Sequence, residues 1–600
     1  MKAMKRTIFT LLLAAACSLG IHAQENRTYI LHTVEKGQSL YSISSMYGVS
    51  QADIVSLNPG SNEKIYVGRT LRIPIKKEEN KKQETFHTIA AGETLYRLSV
   101  NYSISVQAIC EANPGLDAQN FRTGQVIRIP AQTSDNAVTA VQEPQKVQKK
   151  EPETLKPNCR DMHKVKRKET VYSISREYGI SEAELIAANP ELQGENKLKR
   201  GSFLCIPYPK EKQEANVEQP VTQPQGTPTN AELFEENSTK ARAYKTIKAA
   251  LILPLLPEGA QRAESSRMVE YYEGFLMALD SLKRTGVSVD LYTFNSGPEK
   301  ASLQSILARR EMQDVHIIFG PLYQEHIAPL AEFAQKKDIR LVIPFTSKDN
   351  SVFRNPHIYQ INTPQSYLYS EAYDHFTRTF RRPNVIFIEC TEGSREKADF
   401  IRGLKDELRN RSIPMTSLKD TVTTPSLSAA IRPGYENIFI PTSGSNVALI
   451  KLLPHLSLTV RQHPETECHL FGYPEWQTYT KDHLEAFFEL DTYIYSSFYT
   501  NNLLPAAVRF TNSYRRWFAK DMEERYPKYG MLGFDTGYYF LKGLSQYGNK
   551  FEEHLPGFQT HPIQTGFKFQ RVNNWGGFIN RKVFFVRFSK NYEVVKLDFD

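Results

Sequence analysis

The chain has 600 residues, of which 40% are hydrophobic and 11% aromatic, and its mean hydropathy is -0.47. This length predicts several folded units, and the composition excludes both a multi-span membrane protein and a wholly disordered chain. The net charge of +9 favours acidic polymers only weakly at this length. Much of the excess lysine stands in segments predicted to be linkers, so nucleic-acid binding is not expected.

The N-terminal segment has the composition of a targeting signal. Lys2, Lys5 and Arg6 precede the apolar run 8–19, which is too short to span a bilayer stably. This pattern is typical of a secretory signal peptide over residues 1–23, so we expect an exported protein of the periplasm or cell envelope. Cys17 lies in a poor lipidation sequence, and membrane attachment is expected only if that cysteine is lipidated.

One sequence pattern then occurs three times without a gap, beginning at Thr33, Thr88 and Lys164. Each copy has a glycine or lysine at one position, with a histidine five residues before that position and an asparagine 21 residues after it. These positions are His32, Gly37 and Asn58, then His87, Gly92 and Asn113, then His163, Lys168 and Asn189. Cap residues and apolar spacing predict strand, helix, helix, strand in every copy.

The repeat resembles the LysM family through G-[EQ]-[ST]-L-Y at the first helix, an Asn-Pro pair after the second, and a closing G-x-x-[LI]-x-I-P. The predicted modules span 28–75, 86–131 and 159–208. The resemblance implies that N-acetylglucosamine units of peptidoglycan or chitin bind in a shallow groove between the loop opening the first helix and the loop leaving the second. Backbone N–H and C=O groups at helix ends would meet the acetamido groups there. Carried over by position, the glycan-binding residues would be Gly37, Gln38, Ser39, Leu40, Asn58, Pro59 and Gly60; then Gly92, Glu93, Thr94, Leu95, Asn113, Pro114 and Gly115; then Glu169, Thr170, Asn189 and Pro190.

A second interpretation of these residues stays open, in which they only cap helices and form turns. In the third copy Lys168, Val171 and Glu191 replace Gly, Leu and Gly, which weakens the case for sugar binding but not for the fold. A tyrosine recurs at one position of the first helix, where core packing is a better prediction than sugar stacking. These residues are Tyr41, Tyr96 and Tyr172.

Segments 75–85, 131–157 and 208–242 are rich in Lys, Glu, Gln, Pro and Thr and lack apolar periodicity. They are predicted to be flexible tethers, the last of them a linker over 209–244. Modules joined in this way would gain avidity for a shared polymer through effective concentration.

From residue 245 onward strands and helices alternate in two series, which predicts two lobes, each a parallel sheet covered by helices. The first series has predicted strands at 247–253, 287–294, 315–319 and 340–344, with helices near 267–284, 299–312 and 324–337. After a segment at 357–362, the second has strands near 385–389, 437–440 and 469–472.

This half resembles the type I periplasmic-binding fold through the segments 317–322, 343–347, 471–475 and 533–535. The resemblance implies a two-lobed α/β domain over 245–600, with lobe 1 at about 245–363 and 500–560 and lobe 2 at about 364–499 and 565–600. Ligand groups would come from the carboxyl ends of the strands. The expected fold class is therefore multidomain, with three small βααβ modules and a two-lobed α/β domain.

The predicted cleft departs from that of the amino-acid binders. Where they hold a carboxylate with small hydroxyl residues, this chain has Tyr323, Gln324 and Glu325, and the acid would repel that group. Glu475 aligns with the acid that takes an ammonium group, although an acid after Pro474 also complements a helix dipole. The candidate cleft residues are Tyr323, Gln324, Thr346, Ser347, Tyr473, Glu475, Trp476 and Asp535, with core packing as the alternative for Tyr473 and Trp476.

The cysteines that remain after removal of a signal peptide are Cys110, Cys159, Cys205, Cys390 and Cys468, an odd number that leaves at least one outside intrachain disulfides. In the LysM fold the first and last strands pair, which would bring Cys159 beside Cys205, and we expect a disulfide there. Cys390 ends one predicted strand and Cys468 begins a parallel one, so they should lie too far apart to form a bridge.

The sequence contains no H-E-x-x-H, G-x-S-x-G or G-x-x-x-x-G-K-[ST] motif. Glu264-Ser265-Ser266 is superficially similar to the Glu-Ser of lytic transglycosylases, but is predicted to cap a helix. We therefore expect no catalytic residue, metal or cofactor.

The expected function is a non-catalytic peptidoglycan-binding scaffold or sensor of the envelope, active in regulating wall synthesis. Its C-terminal domain would bind a small molecule, a muropeptide or an envelope protein. One alternative is a wall-tethered substrate-binding protein for amino-acid or peptide uptake, and a disfavoured one is a cell-wall hydrolase.

Overall fold

The computed structural model describes residues 29–74, 85–131, 161–165, 170–178, 180, 182, 185–186, 189, 203–206, 228–238, 240–256, 262–391, 394–419, 422–502 and 504–599. The predicted signal peptide, Cys17, Cys159, Glu169 and Pro190 lie outside these residues. The chain divides into two units, one formed by 1–137 with 228–600 and the other by 138–227.

The first module has the predicted order of strand, helix, helix, strand. The hydroxyls of Ser39 and Ser50 accept N–H groups of the first turn of each helix, which explains where both helices begin. Gly48 ends the first helix in the left-handed region, at φ +65°. The elements are β1 (Tyr29–Thr33), α1 (Leu40–Tyr47), α2 (Gln51–Leu57) and β2 (Thr70–Pro74), with β1 and β2 antiparallel.

The second module repeats this order. Thr94 and Ser105 begin its helices through the same hydroxyl to N–H bonds. Its elements are β3 (Thr85–Thr88), α3 (Leu95–Tyr102), α4 (Val106–Ala112) and β4 (Val126–Ile129), and β3 and β4 are antiparallel.

The third module belongs to the other unit. Its described elements are β5 (Asp161–Lys164), α5 (Val171–Tyr178) and β6 (Phe203–Ile206), with β5 and β6 antiparallel. Ile174, Leu185 and Leu204 form the centre of its core.

The predicted linker 209–244 contains a helix, α6 (Asn230–Glu236). Thr229 caps it, and Glu232 bonds back to the Thr229 N–H at 2.7 Å, which completes a capping box. Leu233 is buried in the core of the second module. The prediction of a flexible tether is therefore wrong for this part of the segment.

The first two modules pack against the C-terminal domain. The buried residues Ile43 and Leu71 of the first module belong to the same hydrophobic cluster as Ile252 and Trp575. At the edge of this contact Lys36 Nζ lies 3.2 Å from Glu371 and 3.4 Å from Asp374. The predicted linkers at 75–84 and 132–157 lie outside the described residues. Their composition predicted that modules 1 and 2 would be independent units, but both modules pack against the C-terminal domain.

The C-terminal domain contains two mixed seven-stranded sheets. Sheet 1 has the order β17-β18-β11-β10-β9-β7-β8, in which only β17 with β18 is antiparallel. Its strands are β7 (Ile247–Leu253), β8 (Val289–Asn295), β9 (Ile317–Phe319), β10 (Arg340–Ile343), β11 (Ile358–Gln360), β17 (Phe569–Arg571) and β18 (Phe578–Asn580).

Sheet 2 has the order β13-β12-β14-β15-β16-β19-β20, with antiparallel pairing from β16 to β20. Its strands are β12 (Pro383–Ile388), β13 (Met415–Leu418), β14 (Glu436–Pro441), β15 (Cys468–Gly472), β16 (Thr492–Ser496), β19 (Phe584–Phe588) and β20 (Val594–Asp598). The two sheets and the βααβ modules confirm the predicted fold class.

Eleven helices of the described residues accompany these sheets. They are α7 (Arg262–Lys283), α8 (Gln304–Leu307), α9 (Ile327–Lys337), α10 (Gln365–Thr379), α11 (Ser394–Asn410), α12 (Thr424–Ala430), α13 (Asn446–Gln462), α14 (Thr480–Glu489), α15 (Pro505–Phe518), α16 (Tyr529–Tyr547) and α17 (Phe551–His554). The predicted helix at 299–312 is instead α8 followed by a 3-10 turn, Arg310–Asp314. Helices α7 and α16 cross so closely that a Cβ at position 274 would lie 1.7 Å from the Gly530 oxygen. Glycine at position 274 makes this crossing possible.

Strand pairing moves the boundary between the lobes. Residues 565–600 were predicted in lobe 2, but β17 and β18 extend sheet 1, and only β19 and β20 join sheet 2. This part of the prediction is wrong because a short antiparallel pair carries no sequence signal for which sheet it joins. No described helix is long and apolar enough to cross a membrane.

Candidate glycan-binding loops and inter-lobe cleft

The asparagine of each Asn-Pro pair connects the second helix to the last strand. The Asn58 amide donates to the Ile54 and Arg72 carbonyl oxygens, both at 2.7 Å, and accepts the Arg72 N–H at 2.9 Å. Asn113 makes the same three bonds to Ile109 and Arg128. Asn189 is also buried and donates to Leu185 O at 2.7 Å. These three side chains serve the fold, so a sugar would have to meet the backbone at these positions.

The side chains of Gln38 and Glu93 are also used inside their modules. Gln38 Oε1 lies 2.8 Å from His32 Nε2, and Glu93 Oε2 lies 2.7 Å from His87 Nε2. Burial would raise the pKa of Glu93, but its bonds to the Ala90 N–H and to His87 lower it below the usual value. These contacts hold the loop before the first helix in one shape.

The two predicted loops of module 1 differ in exposure. Pro59 and Gly60 are exposed, and no described atom lies within 4 Å of a Cβ placed on Gly60. Gly37 is buried against the C-terminal domain, where a Cβ on it would lie 2.5 Å from the ring of Tyr367. Ser39 and Leu40 are half-buried between them.

In module 2 both predicted loops bind the chain itself. The N–H of Leu95 donates to Asn230 Oδ1 at 2.9 Å, and the N–H of Gly115 donates to Asn574 O at 2.8 Å. A Cβ on Gly115 would lie 2.6 Å from Arg571 Cδ. Gly92, Thr94 and Pro114 remain exposed beside these contacts.

Tyr41 and Tyr96 are not core residues, since 47% and 42% of their surface is exposed. The prediction of core packing is wrong for both, because their helical position turns outward next to the first loop. The side chain of Tyr172 lies outside the described residues. In module 3 Thr170 is exposed, and its hydroxyl accepts the Ser173 N–H as a helix cap.

Three predicted cleft residues of lobe 2 are held by the domain itself. Tyr473 and Trp476 are fully buried, and they donate to Pro441 O at 2.6 Å and to Gly444 O at 3.1 Å. Glu475 forms an ion pair with Lys397 Nζ at 2.5 Å. The carboxylate that was predicted to take a ligand ammonium group is thus already paired with an ammonium group of this chain.

In lobe 1 the predicted cleft residues lie in an acidic group. The Tyr323 hydroxyl donates to Glu264 at 2.9 Å, and burial with this bond raises the pKa of Tyr323 to about 12. Gln324 is exposed. The hydrogen bond with the Glu325 carboxyl, the charge of that carboxyl and the charge of Glu264 raise the pKa of the exposed Glu299.

Of the remaining predicted cleft residues, Asp535 holds a loop within the domain, whereas Thr346 and Ser347 are half-buried. Asp535 is buried and accepts the N–H groups of Ile563, Gln564 and Thr565 at 2.7 to 2.8 Å, so it fastens a loop and does not face a ligand. Thr346 Oγ1 accepts the Lys348 N–H at 3.2 Å, and Ser347 is half-buried.

Glu264, Ser265 and Ser266 lie in the first turn of α7 and not in a loop before it. Their side chains bond Tyr323, Leu256 O and Glu523 respectively. The prediction that they cap the helix from outside is wrong by position, and these contacts give them structural roles.

Among the described cysteines, Cys110 and Cys468 are free thiols, and the Cys390 thiol donates to Ile388 O at 3.5 Å. Cys390 follows the end of β12 and Cys468 begins β15, so they lie at opposite ends of the sheet, as predicted. Cys205 lies in β6 opposite Met162. Its predicted bridge to Cys159 stays a prediction.

Comparison with known proteins shows three LysM domains, at residues 32–74, 87–130 and 163–207. The chain is 29% identical over 118 residues to an N-acetylmuramoyl-L-alanine amidase sle1 of Staphylococcus epidermidis, covering 19% of this chain and 35% of the amidase. It is 32% identical over 107 residues to an autolysin of Enterococcus faecalis, covering 16% and 14%. The chain thus spans about a third or less of these relatives, and the amidases match only its LysM region.

Solved structures match the C-terminal part. One is an ABC transporter substrate-binding protein of Desulfitobacterium hafniense in complex with Leu, at 12% identity and a TM-score of 0.34, covering 59% of this chain and 100% of that one. Another is a putative branched-chain amino acid ABC transporter of Rhodospirillum rubrum, at 12% identity and a TM-score of 0.42 with the same coverage. The two-lobed fold follows from the strand orders of sheets 1 and 2.

Sequence reasoning missed Lys397, Asn230 and Asn574, which contact the predicted sites from distant segments. The capping box at Thr229 and Glu232 was a signal that could have revealed α6. Lys397 and Asn574 carry no local signal, since only the tertiary fold places them.

Proposed function

We propose that this chain is a non-catalytic, peptidoglycan-binding protein of the cell envelope whose C-terminal domain is a scaffold for an envelope partner and not a receptor for free amino acids. Its LysM domains are peptidoglycan-binding modules. Attachment to the wall is the part of the function that these modules supply.

The observation that carries the second half of the proposal is the ion pair of Lys397 with Glu475. A ligand ammonium group would have to displace Lys397 Nζ from 2.5 Å, in a site where only 13% of the lysine side chain is exposed. A ligand carboxylate would meet the acidic group of Glu264, Glu299 and Glu325 on the opposite lobe, which repels it. Both ends of a free amino acid are therefore disfavoured.

The proposal of a scaffold without catalysis is supported by the roles of the polar side chains that were predicted to line the cleft. Asp535, Tyr473 and Trp476 bond within the domain, and Tyr323 bonds Glu264. A general acid or base needs a free polar group within reach of a substrate. These side chains are instead occupied in holding loops, which suits a surface presented to a partner in wall synthesis.

A ligand screen tests this proposal. We expect leucine, isoleucine and valine at saturating concentration to leave the melting temperature of the full chain unchanged, because a ligand that does not bind the native state cannot stabilise it. Muropeptides serve as a second set in the same assay. A rise of several degrees with a branched-chain amino acid would favour the uptake alternative, and clearing of a sacculus suspension would favour a hydrolase.

A further inference from the structure

We infer that the segment 229–236 and the turn 572–577 act as an internal cover of the second LysM module, which competes with glycan for the same backbone N–H groups. This inference rests on the proposed function, in that it concerns regulation of wall binding.

The contacts of the cover fall on both predicted walls of one groove. Asn230 Oδ1 takes the N–H of Leu95 at the start of α3, and Asn574 O takes the N–H of Gly115 after α4. Both acceptors are amide oxygens, the same chemical group as the acetamido oxygen of N-acetylglucosamine. An N–H group donates its hydrogen to one acceptor at a time in good geometry, so glycan and cover exclude each other at these atoms.

Apolar contacts hold the cover in place. Leu233 is 6% exposed and packs with Leu95 and Leu116 of the second module. Phe234 lies against Phe121, with ring centroids 6.1 Å apart. The turn is fixed separately, since Asn574 Nδ2 donates to Val126 O at 3.2 Å and Gln125 donates to Asn574 Oδ1 at 3.2 Å.

The first module provides a natural comparison. Gly60 occupies the position of Gly115, yet a Cβ placed on Gly60 meets no described atom within 4 Å. The two modules share one fold and one set of caps, so this difference comes from the cover and not from the module. Glycan access at this loop is thus open in module 1 and closed in module 2.

The cover is suited to release. Helix α6 has only seven residues, and isolated helices of this length are not stable in water, so its order depends on docking. The segment after it is anchored independently, because Arg242 N donates to Asn549 Oδ1 at 2.6 Å and Asn549 Nδ2 donates to Lys240 O at 2.9 Å. Helix α6 can therefore leave the Leu95 side of the groove while the turn 572–577 stays on the Gly115 side.

The test uses the full chain and a soluble hexamer of N-acetylglucosamine as the probe, in isothermal titration calorimetry. We expect the double variant Asn230→Ala, Leu233→Ser to bind roughly fivefold more tightly than the unchanged chain, because it uncovers the Leu95 side of the groove while the turn 572–577 still holds Gly115. The single variant Asn230→Ala should shift in the same direction by less. Glu235→Gln, on the exposed side of α6, is the matched control and should not change binding.

Hydrogen exchange of peptides covering 92–98 and 113–117 reports the cover without any sugar. Faster exchange at 92–98 in the double variant is expected. Unchanged exchange there, or faster exchange with no gain in hexamer binding, would overturn the inference. Sedimentation of the unchanged chain with sacculi reports the proposed function separately, so wall binding that fails there is distinguished from a cover that does not compete.

Discussion

The ring of Tyr47 in the first module lies 5.8 Å from the indole of Trp575 in the C-terminal domain. Phe86 of the second module completes the group, 5.0 Å from Tyr47 and 5.1 Å from Trp575. Each of the three rings comes from a different folded part, so one aromatic contact joins the two modules to the domain.

Replacing Trp575 by Ala should release the first two modules from the domain, because the substitution removes the shared ring and leaves a cavity. Large aromatic deletions in cores cost about 3 to 5 kcal/mol. We expect a separate, earlier melting transition of the first two modules. Trp517→Ala, at a tryptophan that is 49% exposed, is the control. A single transition unchanged from the original chain would contradict the proposed docking.

Replacing Asn58 by Ala should destabilise module 1 itself, not only its interaction with glycan. The substitution leaves the Arg72 N–H and C=O without their partners, and an unpaired buried polar group costs about 1 to 3 kcal/mol. Urea unfolding followed by exchange of module 1 amides measures the effect. Asn101→Ala, on the exposed side of α3, should have almost none. If the stability of module 1 is unchanged while glycan binding is lost, Asn58 binds the sugar and does not hold the fold.

Acid should weaken the second lobe through Asp491, which is bonded by Arg587 and His469. Burial opposes the charge, but these bonds lower the pKa of Asp491 from 3.8 to about 2. Its stabilising effect is present above pH 3.8 and is lost as the pH falls towards 2, which amounts to about 2 kcal/mol. Asp491→Asn should flatten the stability profile across that window, whereas Asp521→Asn, at an exposed pair, should not. Equal profiles for the Asp491 variant and the original chain would refute the assignment.

Lys397→Met should lower the melting temperature slightly, because it leaves Glu475 without its cation beside the buried ring of Tyr473. The Glu475 side chain is 33% exposed, so solvent screening limits the expected loss of stability to about 1 kcal/mol. Lys481→Met removes an ion pair in which both partners are 79% exposed and should change nothing measurable. A stabilised Lys397 variant would mean that the pair does not hold the cleft.

The repeating modules could be predicted from sequence because their signals are local. Ser39 and Thr94 cap their helices in the structure, and the antiparallel strand pairs follow from the regular spacing. The alternation after residue 245 likewise predicted the positions of the main strands along the chain, since short apolar runs mark buried parallel strands.

The candidate sites were harder to predict because their partners are remote in sequence. Asn230 and Leu95 are 135 positions apart, and Gly115 and Asn574 are 459 apart. A module's sequence shows which backbone groups form its groove, but not whether another segment occupies them. The same limit applies to Glu475, whose pairing with Lys397 depends on how α11 packs beside β15.

Sedimentation of the full chain with purified sacculi is the most direct test of the central claim that the LysM modules attach this protein to peptidoglycan. We expect the chain to pellet with sacculi, and the N-acetylglucosamine hexamer to release it. A correctly folded chain that stays in the supernatant at every salt concentration would contradict the claim.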